Sequence, residues 1–336
     1  MRILVADRLP ERFCDAMRGA GFECDVDAGL DEGTLPGALS GVDVLVVRST
    51  RVPADVFAAA DALRLVVRAG SGTNTIDCDA ATEAGVLVAN VPGRNAVAVA
   101  ELTMGLLLAV DRAIPDNTSE LRSGHWDKKR FGAVGRGLYG RSLGIVGLGN
   151  IGLAVAERAA GFGMQLLAQA KGARSPEAAR RIEDLGIALV PDLVTLASRV
   201  DVLTLHVPLT TDTRGMVGAD VLDALQPGIL LNTSRADVVD TDALLAELDA
   251  GRLSAGLDVF PDEPGAGSAD WQSTLAAHPR VVGTHHIGAS TEQAQEAVVD
   301  GVVEIIRAFD SGRLMNVVNS PAQPAPASTV ESGVAR

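Results

Sequence analysis

Short runs of aliphatic and β-branched residues, each closed by charge or a turn residue, alternate along this chain with stretches whose apolar positions recur every three or four residues. In the first part the runs fall at Arg2–Ala6, Val44–Val47, Leu65–Val67 and Val86–Ala89, and their alternation with helical segments predicts βαβ units and a parallel sheet. A helix follows from about Asn95 to Ala113. The rhythm then restarts with Leu143–Val146, Gln165–Ala168, Val202–Leu205, Ile229–Asn232, Gly256–Val259 and Val281–Gly283. That restart predicts a second doubly wound sheet, hence an α/β fold of two parallel-sheet domains. Ala294, Ala297, Val298, Ile305 and Ile306 form a stripe that predicts one long helix from about Thr291 to Ser311. The tail, residues 320–336, lacks apolar bulk and is expected to be disordered.

Composition agrees with this picture. With 336 residues, 47% of them hydrophobic, the chain can bury the cores of two domains. Aromatics make up only 3%, and the prevalence of Ala, Val, Leu and Gly suits helices packed closely on a parallel sheet. The formal charge of −14 argues against nucleic acid or an anionic membrane as partner, because both require clustered Lys and Arg. The longest apolar stretch, Ala96–Val110, contains Glu101 and is shorter than the roughly 20 residues of a membrane span. The N-terminus, Met1-Arg2-Ile3-Leu4-Val5-Ala6-Asp7, is too short an apolar run for a signal peptide and reads as a strand. Cys14, Cys24 and Cys78 stand in neither metal-site nor redox-motif spacing, so they are expected to be reduced thiols in a cytoplasmic protein, with no metal centre.

The most specific motif is Gly147-Leu148-Gly149-Asn150-Ile151-Gly152, placed between an expected strand and an expected helix. Gly147 permits the tight turn, Gly149 lets backbone approach a pyrophosphate, and Gly152 lets helix and strand pack closely; Asn150 and Ile151 open the helix whose N-terminus faces the phosphates. This is the Rossmann dinucleotide fingerprint. A ribose-binding acid is expected roughly 20 residues on, but Ala170 stands there, followed by Lys171 and Arg174. Those cations could pair with a 2′-phosphate, so NADP is favoured slightly over NAD.

Three later segments put polar residues at the ends of expected strands, the rim where open α/β sheets bind ligands: Asn232–Arg235, Leu257–Pro264 and Thr284–Thr291. Arg235 could hold a carboxylate or carbonyl in its planar fork. His286 could exchange a proton with a substrate oxygen, and Glu263 would favour its charged form.

In these motifs the chain resembles the D-isomer-specific 2-hydroxyacid dehydrogenases, and within them most resembles those that act on 3-phosphoglycerate. The matching stretches also include Val47–Thr50, Arg68–Gly72, Asn90–Pro92, Asn95–Glu101 and His206–Thr210. The resemblance implies that Arg235, Glu263 and His286 are catalytic, that Thr233, Ser234 and Asp258 line the nicotinamide side, that His206, Val207 and Pro208 flank the adenosine, and that Gly288 is also cofactor-binding. It implies a flavodoxin-like substrate domain of residues 1–97 plus 290–319, a cofactor domain of residues 98–289, and a cleft between them. Ser71 and Gly72 would meet the substrate carboxylate. Arg48, Ser49, Arg68 and Lys128 would meet a second anionic group, as in 3-phosphoglycerate, 3-phosphooxypyruvate or a phosphonate analogue. A small anionic 2-hydroxy or 2-oxo acid is thus the expected partner, and a homodimer joined through residues 113–141 is the expected assembly. The alternatives are a glyoxylate/hydroxypyruvate-type reductase and a nucleotide-sensing, corepressor-like binding protein. The chain departs from the family pattern at Asn74, Ala170, Ala236 and His285.

Overall fold

Buried on both faces, the apolar runs of the chain become the strands of two parallel sheets in a computed structural model that describes residues 1–170, 172, 175–264 and 268–320. Two units result: Met1–Asn95 with the chain from Glu292 onward, and Ala96–Thr291.

The first unit holds β1 (Arg2–Val5), β2 (Glu23–Val26), β3 (Val44–Val47), β4 (Leu65–Arg68) and β5 (Leu87–Asn90), ordered β2-β1-β3-β4-β5. The order reverses between β1 and β3, which makes that edge a topological switch point. One face of the sheet packs Phe13, Met17, Val299, Val302 and Ile306; the other packs Leu35, Leu39 and Phe57. The Glu292–Asp310 helix therefore returns to cover the sheet made by the start of the chain.

The second unit holds β6 (Ser142–Val146), β7 (Gln165–Gln169), β8 (Ala188–Val190), β9 (Val202–Leu205), β10 (Gly228–Asn232), β11 (Leu253–Leu257) and β12 (Val281–Gly283), ordered β12-β11-β10-β9-β6-β7-β8. Its switch point lies between β6 and β9. The Ala96–Asp111 helix packs across β10, β11 and β12. Gly256 permits that approach, because a Cβ there would lie 3.0 Å from the Leu106 Cβ and 2.8 Å from the Leu231 Cδ2.

Both sheets are parallel and covered by helices on both faces, the expected class. Two edge strands, β2 and β8, escape the hydrophobic pattern because each buries a single residue, Cys24 and Val190 respectively. Strand β11 starts three residues before its expected position, through Ser254 and Ala255, because it pairs along the whole of β10.

One expectation is overturned. Cys14 and Cys24 are joined in a disulfide, their Cα atoms 5.5 Å apart, a separation ordinary for such a bond. Cys14 sits on the inner face of the Arg12–Gly19 helix, and the turn that follows lays Cys24 of β2 beneath it. Cys78 is the free cysteine. Residues 321–336, for which disorder was expected, lie outside the described residues, as do Lys171 and Arg174. Among the described residues no helix is long and apolar enough to cross a membrane.

Candidate active site

At the β6/β9 switch point the glycine motif is shaped by close contacts. Gly147 has φ +98°, and a Cβ there would lie 2.5 Å from the His206 carbonyl oxygen and 2.9 Å from the Val207 Cγ1. A Cβ on Gly152 would lie 1.9 Å from the Gly147 carbonyl oxygen, whereas Gly149 faces open space. The turn is thus folded tightly against β9 while its outer side stays clear, and the Asn150–Gly161 helix begins directly behind it. A pyrophosphate fits this cradle of open backbone and helix N-terminus. Ala170 is exposed just past the end of β7. The Pro208 carbonyl accepts from Thr213 Oγ1 at 2.6 Å, which fixes the segment after His206. His206 itself bonds Thr204 Oγ1 through Nε2 at 2.9 Å, while its buried Nδ1 has no hydrogen-bond partner among the described residues. Burial drives its pKa down to about 3, so the ring is neutral at neutral pH.

Strands β10, β11 and β12 end side by side, with Asn232 opposite Leu257 and Leu257 opposite Gly283. The loops that follow all leave from one edge of the sheet. The Asn232 side chain, buried, closes the first loop on itself. Its Oδ1 accepts from the Ser234 N–H at 3.0 Å and from Ser234 Oγ at 2.8 Å, and its Nδ2 donates to the Arg235 carbonyl at 2.9 Å. Arg235 is partly buried and donates from Nη1 to the Ser234 carbonyl at 2.7 Å. Thr233 is set from below by a 3.0 Å hydrogen bond with Thr103 of the Ala96–Asp111 helix.

In the second loop, Asp262 adopts φ +53°, and Glu263 turns back so that its Oε2 accepts from the Phe260 N–H at 3.3 Å. The Phe260 ring is wedged between Gly283 and Trp271, the latter at 5.6 Å between centroids. In the third loop His286 adopts φ +51°, and its Nδ1 bonds Glu263 Oε1. Left-handed backbone at two residues that are not glycine is uncommon and gathers at functional sites. Burial pushes the Glu263 carboxyl up. The His286 hydrogen bond and charge, the Phe260 N–H and the Arg235 charge outweigh that push and hold it below the usual carboxylate range. Glu263 therefore reports on both partners: the structure brings Arg235, Glu263 and His286 to one place.

Asp258 has a different position from that of a residue lining an open pocket. It is 1% exposed, and both its oxygens are engaged. Oδ1 accepts from Thr284 Oγ1 at 2.6 Å and the Ile287 N–H at 2.9 Å; Oδ2 accepts from the Gly288 N–H at 2.9 Å. It clamps the loop that carries His286, and Gly288 is needed there because a Cβ would lie 3.0 Å from that carboxylate.

In the first unit, the ends of β3, β4 and β5 lie together, since Val47 pairs with Arg68 and Arg68 with Asn90. The backbone N–H groups of Arg48, Ser49 and Thr50 form an anion nest, but Asp7 fills it: its Oδ2 accepts from all three, at 2.6, 3.1 and 3.1 Å. Of the Arg48–Ser49 pair, the side chains rather than the amides are left for an anionic ligand. The Arg68 guanidinium lies over Gly70, where a Cβ would come within 1.4 Å of Nη1. Asn90 Nδ2 donates to the Ser71 carbonyl at 2.5 Å, and Ser71 Oγ meets Asn95 Oδ1 at 3.3 Å, which together shape the Ser71–Gly72 turn. Lys128 is exposed at the start of a short helix in the second unit.

Thr103 and Asp7 were not singled out in the sequence, and Asn232, Thr284 and Asn90 stood within its motifs without a positioning role. An Asn before Thr-Ser is a turn-closing signal and could have revealed Asn232; the others depend on contacts made across the fold.

The profile of the D-isomer specific 2-hydroxyacid dehydrogenase NAD-binding domain matches residues 104–288, and the chain belongs to this family. It is 41% identical over 329 residues to D-3-phosphoglycerate dehydrogenase of Methanocaldococcus jannaschii, an alignment covering 96% of this chain and 60% of that protein. It is also 41% identical over 280 residues to hydroxypyruvate reductase of Thermotoga maritima, covering 82% of this chain and 88% of that one. Among solved structures, the NADPH-dependent glyoxylate/hydroxypyruvate reductase of Sinorhizobium meliloti in complex with citrate superposes with a TM-score of 0.81 at 31% identity, over 94% of this chain and 97% of that one. The chain spans about 60% of the length of the phosphoglycerate dehydrogenases that it matches.

Proposed function

We propose that this chain is an oxidoreductase that interconverts a D-2-hydroxy acid and its 2-oxo acid with a nicotinamide dinucleotide. The observation that carries the reading is the position of Glu263, bonded to His286 and within electrostatic reach of Arg235, in the same unit as the glycine cradle. A bound dinucleotide supplies the hydride acceptor or donor. Gly147, Gly149 and the start of the Asn150–Gly161 helix hold its pyrophosphate; Val207, Pro208 and Ala170 border its adenosine half; Thr233 and Gly288 border its nicotinamide half. Arg235 orients the substrate through its carboxylate or carbonyl. His286 Nδ1 is tied to Glu263, so Nε2 is the atom that takes the hydroxyl proton in oxidation and returns it in reduction. Glu263 steadies the resulting imidazolium.

The substrate carries a second anionic group, met by Arg48, Arg68 and Lys128, with Ser71 and Gly72 at its carboxylate. NADP is favoured over NAD because Ala170 offers no carboxylate to repel a 2′-phosphate. The assembly is a homodimer joined through residues 113–141, where Trp126 and Tyr139 are exposed at 77% and 90%. A substrate without phosphate, such as hydroxypyruvate, is the second reading, favoured by the Thermotoga relative whose length is nearly matched.

A panel of 2-oxo acids with and without phosphate or phosphonate, assayed with NADPH and NADH in wild type and Arg48→Ala, tests these choices. Turnover of phosphorylated acids that Arg48→Ala weakens through KM is expected. Turnover confined to uncharged-tail acids removes the second anionic group, and a clear NADH preference removes the NADP assignment.

A further inference from the structure

The hydroxyl of Thr233 has its polarity fixed by a residue behind the site. Thr103 Oγ1, fully buried, donates to the Val99 carbonyl one helical turn earlier at 2.8 Å. A hydroxyl has one proton, so at its 3.0 Å contact with Thr233 Oγ1 Thr103 is the acceptor and Thr233 the donor. With that proton committed to Thr103, the Thr233 oxygen has only lone pairs left for a further partner. We infer that Thr103 is a positioning residue that makes Thr233 an obligate acceptor, selecting a ligand group that donates: the amide –NH2 of a nicotinamide rather than its carbonyl.

The inference rests on the proposed dinucleotide site and adds to it a direction. The carboxamide is held one way round, its –NH2 rather than its oxygen toward Thr233. Both threonines belong to the second unit, Thr103 on the helix that packs across β10, β11 and β12. Thr233 is 9% exposed and follows directly on β10, so neither side chain is a solvated hydroxyl free to rotate.

The test compares equilibrium binding of three probes: NADPH, its 3-acetylpyridine analogue, in which a methyl replaces the amide –NH2, and the nicotinamide-free 2′-phospho-ADP-ribose. Wild type should bind NADPH about fivefold more tightly than the acetylpyridine analogue, the factor for one neutral hydrogen bond. Thr103→Val should shrink that preference toward unity, because the released Thr233 hydroxyl can then donate as well as accept. Affinity for 2′-phospho-ADP-ribose should stay unchanged. Thr103→Ser keeps the hydroxyl and should restore the preference; Thr103→Ala serves in place of valine if the latter does not fold. A preference unchanged in Thr103→Val or Thr103→Ala, but lost in Thr233→Val, overturns the relay and leaves the site intact. A preference unchanged in Thr233→Val shows instead that Thr233 does not meet the nicotinamide, and overturns both.

Discussion

Replacing Asp258 by Asn keeps the shape of the side chain and exchanges one acceptor oxygen for a donor. The native carboxylate is buried and accepts three hydrogen bonds, from the Thr284 hydroxyl, the Ile287 N–H and the Gly288 N–H. An Asn has two orientations here. In one its –NH2 faces the Gly288 N–H; in the other it faces the Ile287 N–H. Each orientation sets donor against donor and loses at least one hydrogen bond to a charged acceptor, a loss of about 1.5–3 kcal/mol. Asp258→Asn should therefore lower unfolding stability by about 2–3 kcal/mol in urea titrations. Because the clamped loop carries His286 at φ +51°, kcat should fall well beyond any rise in KM. The left-handed residue relaxes once its loop is freed. A variant with the wild-type urea midpoint and unchanged kcat would refute the reasoning that this carboxylate holds the loop.

Gly152→Ala places a Cβ 1.9 Å from the Gly147 carbonyl, so the turn must open; a loss of at least about 1–3 kcal/mol in stability and of measurable dinucleotide binding by calorimetry is expected. Glu263 has a carboxyl held low in the folded state, so its contribution is present above the unfolded value of about 4.3 and is lost as pH falls through the lower folded value. The stability gap between wild type and Glu263→Gln should accordingly close on acidification below about pH 4. The gap should be modest, since the side chain is 36% exposed; a gap independent of pH would contradict the pairing. Closing the Cys14–Cys24 bond, with a sequence separation of 10, removes loop entropy from the unfolded chain. Reduction should lower stability by about 2–3 kcal/mol, read from unfolding with and without dithiothreitol, while thiol counting by mass spectrometry follows the bond itself.

The central strands were legible because burial on both faces favours apolar residues: β3, at Val44–Val47, and β9, at Val202–Leu205, are buried throughout, Thr204 being the one polar residue of the two strands. Two of the edge strands were not, since β2 and β8 pair on one side only and tolerate polar or exposed positions, whereas the edge strands β5 and β12 keep recognisable apolar runs. Arg235, Glu263 and His286 could be picked out as chemistry-bearing residues at strand ends, and the glycine loop by its spacing. What the sequence hid were contacts made by topology. Asp7 and the Arg48–Thr50 amides meet because β1 and β3 are neighbours, although 41 residues separate Asp7 from Arg48. Asp258 could be read as a ligand-facing acid, but its three donors come from a loop after another strand. Cys14 and Cys24 have no motif spacing, and only the fold of a helix back over an edge strand brings them together.

The most direct test of the central claim measures 2-oxo acid reduction and cofactor affinity in parallel for wild type, His286→Ala and Arg235→Ala. Wild type should turn over 2-oxo acids, His286→Ala should lose about 10²–10⁴ in kcat, and Arg235→Ala should lose a comparable factor in kcat/KM, with dinucleotide affinity unchanged in both. Wild-type turnover in His286→Ala, or a wild-type protein that binds dinucleotide yet reduces none of the acids, would contradict the claim.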